Sequence, residues 1–335
     1  MSSHPAVSVI MPVRNEERHL SAAIAEVLAQ DYPGDLELVV AVGPSRDRTE
    51  EIAHALAAED QRITVVANPT GFTPAGLNVA LRAARNDIIV RVDGHAELSD
   101  GYIETAVRVL AETGAANVGG RMEARGETPF EQAVAAAYNS PLGLGGGGFH
   151  LAETPAGPAE TVFLGVFRRE ALEQVGGFDE DLHRAQDWEL NHRLRSAGLL
   201  VYYSPELRVI YRPRSAWKAL ATQFFRTGQW RREVIRRHPE TASLRYLAPP
   251  VVTATSLGGL IAGVVGILLR APLLIAGLIA PGTYLAFLGY ATTTMPRLGL
   301  VARLRLPLVL ATMHFAWGLG FLRGLRTPAV PRVPG

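Results

Sequence analysis

Asp93 and His95 stand two residues apart at the end of the apolar run Ile88-Ile89-Val90-Arg91-Val92. Together they offer one divalent ion a hard carboxylate oxygen and a borderline imidazole nitrogen, a donor set suited to Mn²⁺ or Mg²⁺. In open α/β sheets ligands bind just beyond the carboxyl ends of the strands, so this spacing places the ion where a nucleotide diphosphate would lie. An Asp-x-His after an apolar strand is also an ordinary strand-to-loop turn, and the surrounding elements have to decide between the two.

Those elements alternate. The strand-like run Ala6 to Met11 is followed by Leu20, Ile24, Val27 and Leu28 at helical spacing; Leu36 to Val42 reads as a buried strand, with Ile52, Ala55 and Leu56 on the next helix. Ile63 to Ala67 is a third strand. Thr73 reads as an N-cap before Pro74, with Leu77, Ala80, Leu81 and Ala84 behind it, and this helix leads into the Asp93 strand. A helix bearing Ile103, Val107 and Leu110 precedes the strand-like Ala116 to Gly119, and Thr161 to Gly165 is a further candidate strand. The alternation predicts an α/β fold with a mainly parallel sheet. Pro141 to Phe149 is too glycine-rich for a stable helix or strand and reads as a mobile loop, a covering lid or a linker. It follows no strand and opens no helix, which argues against a dinucleotide fingerprint.

Pro12-Val13-Arg14-Asn15-Glu16-Glu17 after the first strand, Gly76 and Asn78, Asp93-Gly94-His95, Gly177-Phe178-Asp179-Glu180, and Asp187 with Arg193 follow one another in order over roughly residues 6–235. In this combination the chain resembles the family 2 inverting glycosyltransferases of the GT-A fold, and among them the membrane-anchored exopolysaccharide glucosyltransferases of the succinoglycan type. The resemblance implies a nucleotide-sugar donor held by Pro12, Arg14, Asn15, Glu16, Gly43, Gly76, Asn78 and Asp93, with uridine diphosphate as its nucleotide. It implies a Mn²⁺ or Mg²⁺ cofactor on Asp93 and His95, and Asp187 as the general base, with Trp188 and Arg193 on the acceptor side. The local sequence agrees with a base at Asp187, since a helix carrying Leu190 and Leu194 starts beside it and its dipole favours a carboxylate there. Asp179 and Glu180 are assigned to shaping their loop. One departure concerns the donor: where family members commonly carry paired aspartates, one of which usually meets the nucleobase, this chain reads Val42-Gly43. Base recognition then rests on backbone groups or on Pro12, Asn15 and Glu16.

Composition completes the picture. A net charge of +1 argues against a nucleic-acid partner, and the absence of cysteine excludes disulfide and thiolate sites. The apolar excess is C-terminal: residues 246–269 and 271–294 are each long enough to cross a bilayer, and 306–322 is borderline. The sequence therefore divides into a catalytic domain over residues 1–215, a basic, aromatic-bearing interfacial region over 216–245, and transmembrane helices over 246–335. Related enzymes hold the acceptor with a Gln-x-x-Arg-Trp sequence in this region, so the resemblance implies Gln223, Arg226 and Trp230 on the acceptor side, the alternative being a simple membrane-surface helix; Gln223-Phe224-Phe225-Arg226 lacks the adjacent Trp, which weakens the case for a processive synthase. The first residues lead into the first strand without the pattern of a secretory signal, and the catalytic domain is therefore expected on the cytoplasmic face of the inner membrane. Arg236, Arg237 and Arg245 before the first span, and Arg297, Arg303 and Arg305 after the second, agree with a hairpin. The third segment is expected to cross as well, by close packing of Trp317, Gly318, Gly320 and Gly324 on the hairpin. The reading that follows is a multi-pass membrane enzyme moving a sugar to a lipid-linked acceptor. The alternatives are a polyprenyl-phosphate sugar synthase and a catalytically silent sugar-nucleotide-binding protein.

Overall fold

A computed structural model of the chain describes residues 4–146, 148–295 and 298–325. The chain forms two compact units, one of Met1–Glu123 with Gly148–Tyr211, the other of Ala124–Gly147 with Arg212–Gly335.

The first unit is a three-layer α/β structure. Its strands are β1 (Val7–Val13), β2 (Leu36–Val42), β3 (Ile63–Ala67), β4 (Ile88–Arg91), β5 (Glu97–Leu98), β6 (Asn117–Ala124), β7 (Gly157–Pro158), β8 (Phe163–Arg168) and β9 (Val201–Tyr211), in the order β3-β2-β1-β4-β8-β6-β9-β5 with β7 on β9. Only β1 to β4 are parallel; β8 runs antiparallel to β4 and β6, and β9 to β5 and β7. The sheet is thus mixed, with four of its nine strands parallel where the alternation predicts a mainly parallel sheet. Strand β8 lies two residues later than Thr161 to Gly165 because its register is set by β4, with Ile88 opposite Arg168 and Val90 opposite Val166. Strand β6 likewise starts at Asn117 and runs past Gly119.

Helices α1 (Leu20–Leu28), α2 (Thr49–Glu59), α3 (Thr73–Ala83) and α4 (Tyr102–Thr113) follow the strands as the periodicity requires. Alternate strand residues feed two cores: Val7, Val9 and Met11 pack with Leu20, Ile24 and Ile103, while Ile10, Val39 and Ile89 pack with Leu77, Ala80 and Leu190. Both faces are covered, which is why the parallel strands read as continuous apolar runs. Thr73 is not the cap of α3: Phe72 holds that position with no side-chain bond, and Pro74 supplies the pre-set φ of the first turn.

The second unit is helical. It opens with α5 (Pro129–Tyr138), started by a reciprocal capping box of Thr128 and Glu131. Next comes α6 (Pro141–Leu144), a helical turn inside the glycine-rich stretch expected to be a loop; the Ser140 hydroxyl accepts from Leu142 N and Pro141 fixes the first φ, which suffices for one turn. This segment, 124–147, lies inside the catalytic domain as the sequence divides it, yet packs with the C-terminal helices. The first unit then continues with α7 (Arg169–Val175) and α8 (Gln186–Ser196) before the chain re-enters the second unit with α9 (Trp217–Arg237), α10 (Leu244–Leu269), α11 (Pro272–Ile275), α12 (Ile279–Thr294) and α13 (Leu300–Arg323).

Three stretches here are long and apolar enough to cross a membrane: Leu244–Leu269, Pro272–Thr294 and Leu300–Arg323, with mean hydropathies of 2.1, 1.7 and 1.3. Glycines bring α13 against its neighbours. A Cβ at Gly318 would collide with Pro249 O and Thr253 of α10, one at Gly320 with the Phe225 backbone of α9, and one at Gly228 with the Trp317 backbone. Gly318 packs on the hairpin as expected, whereas Gly320 and Trp317 serve α9 instead. Arg297, which enters the charge pattern, lies outside the described residues.

Candidate active site

The site grows from the carboxyl ends of β1, β2 and β4. Gly94 lets the end of β4 close on β1, since a Cβ there would sit 2.8 Å from Val13 Cγ1. Asp93 and His95 follow directly. His95 Nδ1 lies 3.0 Å from Glu16 Oε1, and the Glu16 main chain donates to Thr49 Oγ1 at 2.7 Å. The loop after β1 is laced to the loop after β2: Asn15 N donates to Ser45 Oγ, Arg46 N donates to Asn15 Oδ1 at 2.8 Å, and Arg14 Nε donates to Pro44 O at 3.2 Å. Asn15 sits at φ 56°, a left-handed conformation that asparagine tolerates. The Thr49 hydroxyl and the main-chain N–H groups of Glu17 and Thr49 hold the Asp47 carboxyl below the usual range. The Val42-Gly43 departure has a steric reason, because a Cβ at Gly43 would stand 2.9 Å from Gly71 Cα in the loop before α3.

Asp187 occupies the first turn of α8, behind Ala185 at φ 62°, a strained conformation for a residue other than glycine. Its Oδ1 is bonded to the guanidinium of Arg91, and the same guanidinium donates through its other terminal nitrogen to Asp93 Oδ1 at 2.9 Å. One buried arginine on β4 thus forks between the proposed metal ligand and the proposed base. Asp187 Oδ1 is enclosed, yet 35% of the side chain remains accessible; Asp93 keeps 27% and Arg91 5%. Burial raises the Asp187 pKa above the ordinary carboxylate range and nearby Asp93 adds to the rise, partly offset by Arg91. Burial opposes the charge of Arg91, but Asp187 and Asp93 outweigh it and hold the guanidinium protonated.

Other residues singled out in the sequence support the site from behind. Gly76 passes under Pro12, where a Cβ would be 3.1 Å from Pro12 Cβ and 2.7 Å from Asn68 Nδ2. Asn78 is buried, and its amide grips the 177–180 loop by accepting from Phe178 N and donating to Phe178 O and Glu180 Oε1, each at 2.9 Å. Asp179 Oδ1 accepts from Asp181 N. Arg193 pairs with buried Glu189 at 2.7 Å and donates to the carbonyls of Val175 and Gly177, which ties α8 to that loop. Trp188 is buried and stacks on His192, with ring centroids 5.7 Å apart. Through these contacts Gly76, Asn78 and Arg193 hold the loops around the site. Gln223, Arg226 and Trp230 all lie on α9, in the second unit. Sequence reasoning missed Arg91. Its signal was an arginine inside a strand otherwise buried and apolar, a place where charged residues stand only when paired.

Residues 8–176 match the family model for glycosyl transferase family 2. The chain is also 32% identical over 321 residues to "Succinoglycan biosynthesis protein ExoA" of Rhizobium meliloti, covering 95% of this chain and 94% of that one. The chain belongs to glycosyltransferase family 2. A second relative of this glycosyltransferase, "Dolichyl N-acetyl-alpha-D-glucosaminyl phosphate 3-beta-D-2,3-diacetamido-2,3-dideoxy-beta-D-glucuronosyltransferase" of Methanococcus voltae, is 26% identical over 69% of this chain and 74% of its own. Among solved structures, the mannosyltransferase PcManGT from Pyrobaculum calidifontis, in complex with GDP-Man and Mn²⁺, superposes with a TM-score of 0.60 at 20% identity, over 96% of this chain and 88% of that one. That likeness agrees with a GT-A fold.

Proposed function

We propose that this glycosyltransferase moves a sugar from a UDP-linked donor to a lipid-linked saccharide at the cytoplasmic face of the inner membrane, in the assembly of a cell-surface or exported polysaccharide, with inversion. The observation that carries the reading is the Arg91 fork, which brings a carboxylate at the carboxyl end of a central strand next to a second, partly open carboxylate on α8. The near-full-length likeness to a succinoglycan biosynthesis protein supports the product class, and the archaeal relative's name contains a dolichyl-linked sugar as acceptor. Three apolar helices support a membrane location.

The residues fit a divalent ion. Asp93 presents a hard oxygen at the strand end, and His95 pairs through Nδ1 with Glu16, the carboxylate–imidazole arrangement that orients a ligating histidine. Mn²⁺ or Mg²⁺ held there supplies Lewis-acid neutralisation of the leaving diphosphate. Asp187 takes the proton of the acceptor hydroxyl as its oxygen bonds to the anomeric carbon and the bond to the diphosphate breaks. A raised pKa makes Asp187 a stronger base than an ordinary aspartate, and moves the acid limb of activity above about pH 4. Pro12, Asn15 and Glu16 border the donor, with backbone groups of the Gly43 loop in place of the missing aspartates.

Purified full-length protein offered labelled nucleotide sugars and extracted membrane lipids should yield a glycosylated lipid. Asp187→Asn should bind donor normally yet turn over about 10²-fold more slowly. Unchanged turnover removes Asp187 from the chemistry, and a product in which the sugar sits directly on a lipid phosphate identifies a polyprenyl-phosphate sugar synthase.

A further inference from the structure

A groove of about 620 Å³ lies between α9 and the C-terminal end of α13, walled by Ala221, Phe225, Ala316 and Leu319 and flanked by Arg226 and Arg323. No acidic side chain lines it. Glu233, the sole carboxylate of α9, is bound by Arg236 and Arg237, and α13 contains none. The last carbonyls of a helix normally repel an anion. Here they are already satisfied from α9: Gln229 Nε2 donates to Gly324 O at 2.7 Å, and Arg232 donates to Leu322 O at 2.7 Å and Phe321 O at 3.2 Å. The groove therefore offers two exposed guanidinium groups, a quenched helix end and an apolar wall, with Arg323 Cζ 5.8 Å from the Phe225 ring centroid. The close approach at Gly228 and Gly320 fixes its floor.

We infer that this groove binds an anionic phospholipid of the surrounding bilayer, its phosphate between Arg226 and Arg323 and one acyl chain along Phe225 and Leu319. Guanidinium forks match phosphate oxygens, and the end of α13 meets the start of α10, the first membrane-length helix, at the level where a headgroup is found. Among the described residues no carboxylate faces the two guanidinium groups, and the apolar wall beside them favours an amphiphilic anion over a merely soluble one. The inference goes beyond the transferase reading and does not depend on which sugar is moved.

The test is native mass spectrometry of the full chain in neutral detergent, titrated with equimolar phosphatidylglycerol and phosphatidylcholine. Two arginines near an anionic lipid contribute about fivefold each, so the preference for phosphatidylglycerol should be roughly 25-fold. R226K/R323K keeps the charge and should keep most of that preference, whereas R226Q/R323Q should lose it while retaining UDP binding as proof of folding. No preference in the unaltered chain, or full preference in R226Q/R323Q, overturns the proposal. Stoichiometric displacement of phosphatidylglycerol by a long-chain isoprenoid diphosphate also overturns it, and reassigns the groove to the acceptor.

Discussion

Arg91→Met removes the counter-charge that Asp93 and Asp187 share. Stripping one partner from a fully buried ion pair costs about 3–5 kcal/mol. Here the two carboxylates keep 27% and 35% of their accessibility, so water recovers part of that and the cost falls to about 2–3 kcal/mol. For a unit of this size that lowers Tm by about 4–12 °C. Asp187→Asn alone leaves Arg91 paired with Asp93 and should be mild. In the Arg91→Met background, Asp187→Asn deletes an uncompensated charge, so the double variant should be more stable than the sum of the singles by about 1–2 kcal/mol. Arg91→Lys restores the charge but not the fork, and should recover stability better than turnover. The cycle is read by thermal unfolding of the full chain in detergent, beside transferase rates. Additive singles, with coupling under about 0.5 kcal/mol, refute the bridge between the two carboxylates.

Three further outcomes are expected. Mn²⁺ should bind weakly to the protein alone and tightly with UDP present, because Asp93 and His95 supply only part of a coordination shell, and Glu16→Gln should weaken the ternary complex by about tenfold; tight metal binding without nucleotide in calorimetry, or activity insensitive to EDTA, contradicts this. Burial raises the Glu37 pKa, but the Ser8 hydroxyl and the Arg85 N–H and guanidinium outweigh burial and hold it below normal, so its stabilising contribution is full above about pH 4.3 and is lost as pH falls through the folded value; Tm measured against pH should show Glu37→Gln converging with the unaltered protein in acid, and a constant gap counts against the assignment. A reporter fused after Gly335 should fluoresce in the cytoplasm and show no alkaline phosphatase activity; phosphatase activity means that α13 crosses.

The strands β1 to β4 and the Asp93 turn were legible because a buried parallel strand is a plain apolar run and a polar Asp-Gly turn marks the end of β4. The antiparallel half of the sheet was not, since β8 is placed by pairing with β4, and that partner is 78 residues away at Ile89 and Phe167. Arg91 and Asp187 show the same limit. Each residue type was readable, but a contact 96 positions apart leaves no periodic trace. Gly76, Asn78 and Arg193 show a third limit, because residues that hold a site's loops recur in the same motifs as those that touch its ligands, and spacing alone does not separate the two roles.

The third apolar helix is where hydropathy and packing part. By length and composition α13 qualifies as a span, and its glycines favour close helix contacts. The contacts decide which ends meet. Gly318 seats on Pro249 and Thr253, near the start of α10, and Gly320 seats on α9, which leads into α10. If α10 leaves the cytoplasmic face and α12 returns to it, α13 begins inside with Arg303 and Arg305 and brings Arg323 back to the level where α10 began. Both ends then carry cations on the same side, as the positive-inside rule favours. The exposed Val301, Leu304, Leu308, Leu319 and Leu322 share one helical face, which such a segment lays into the lipid while its other face packs on protein. Hydropathy alone cannot separate this from a crossing, because an 18-residue average gives equal weight to a residue facing lipid and one facing α9.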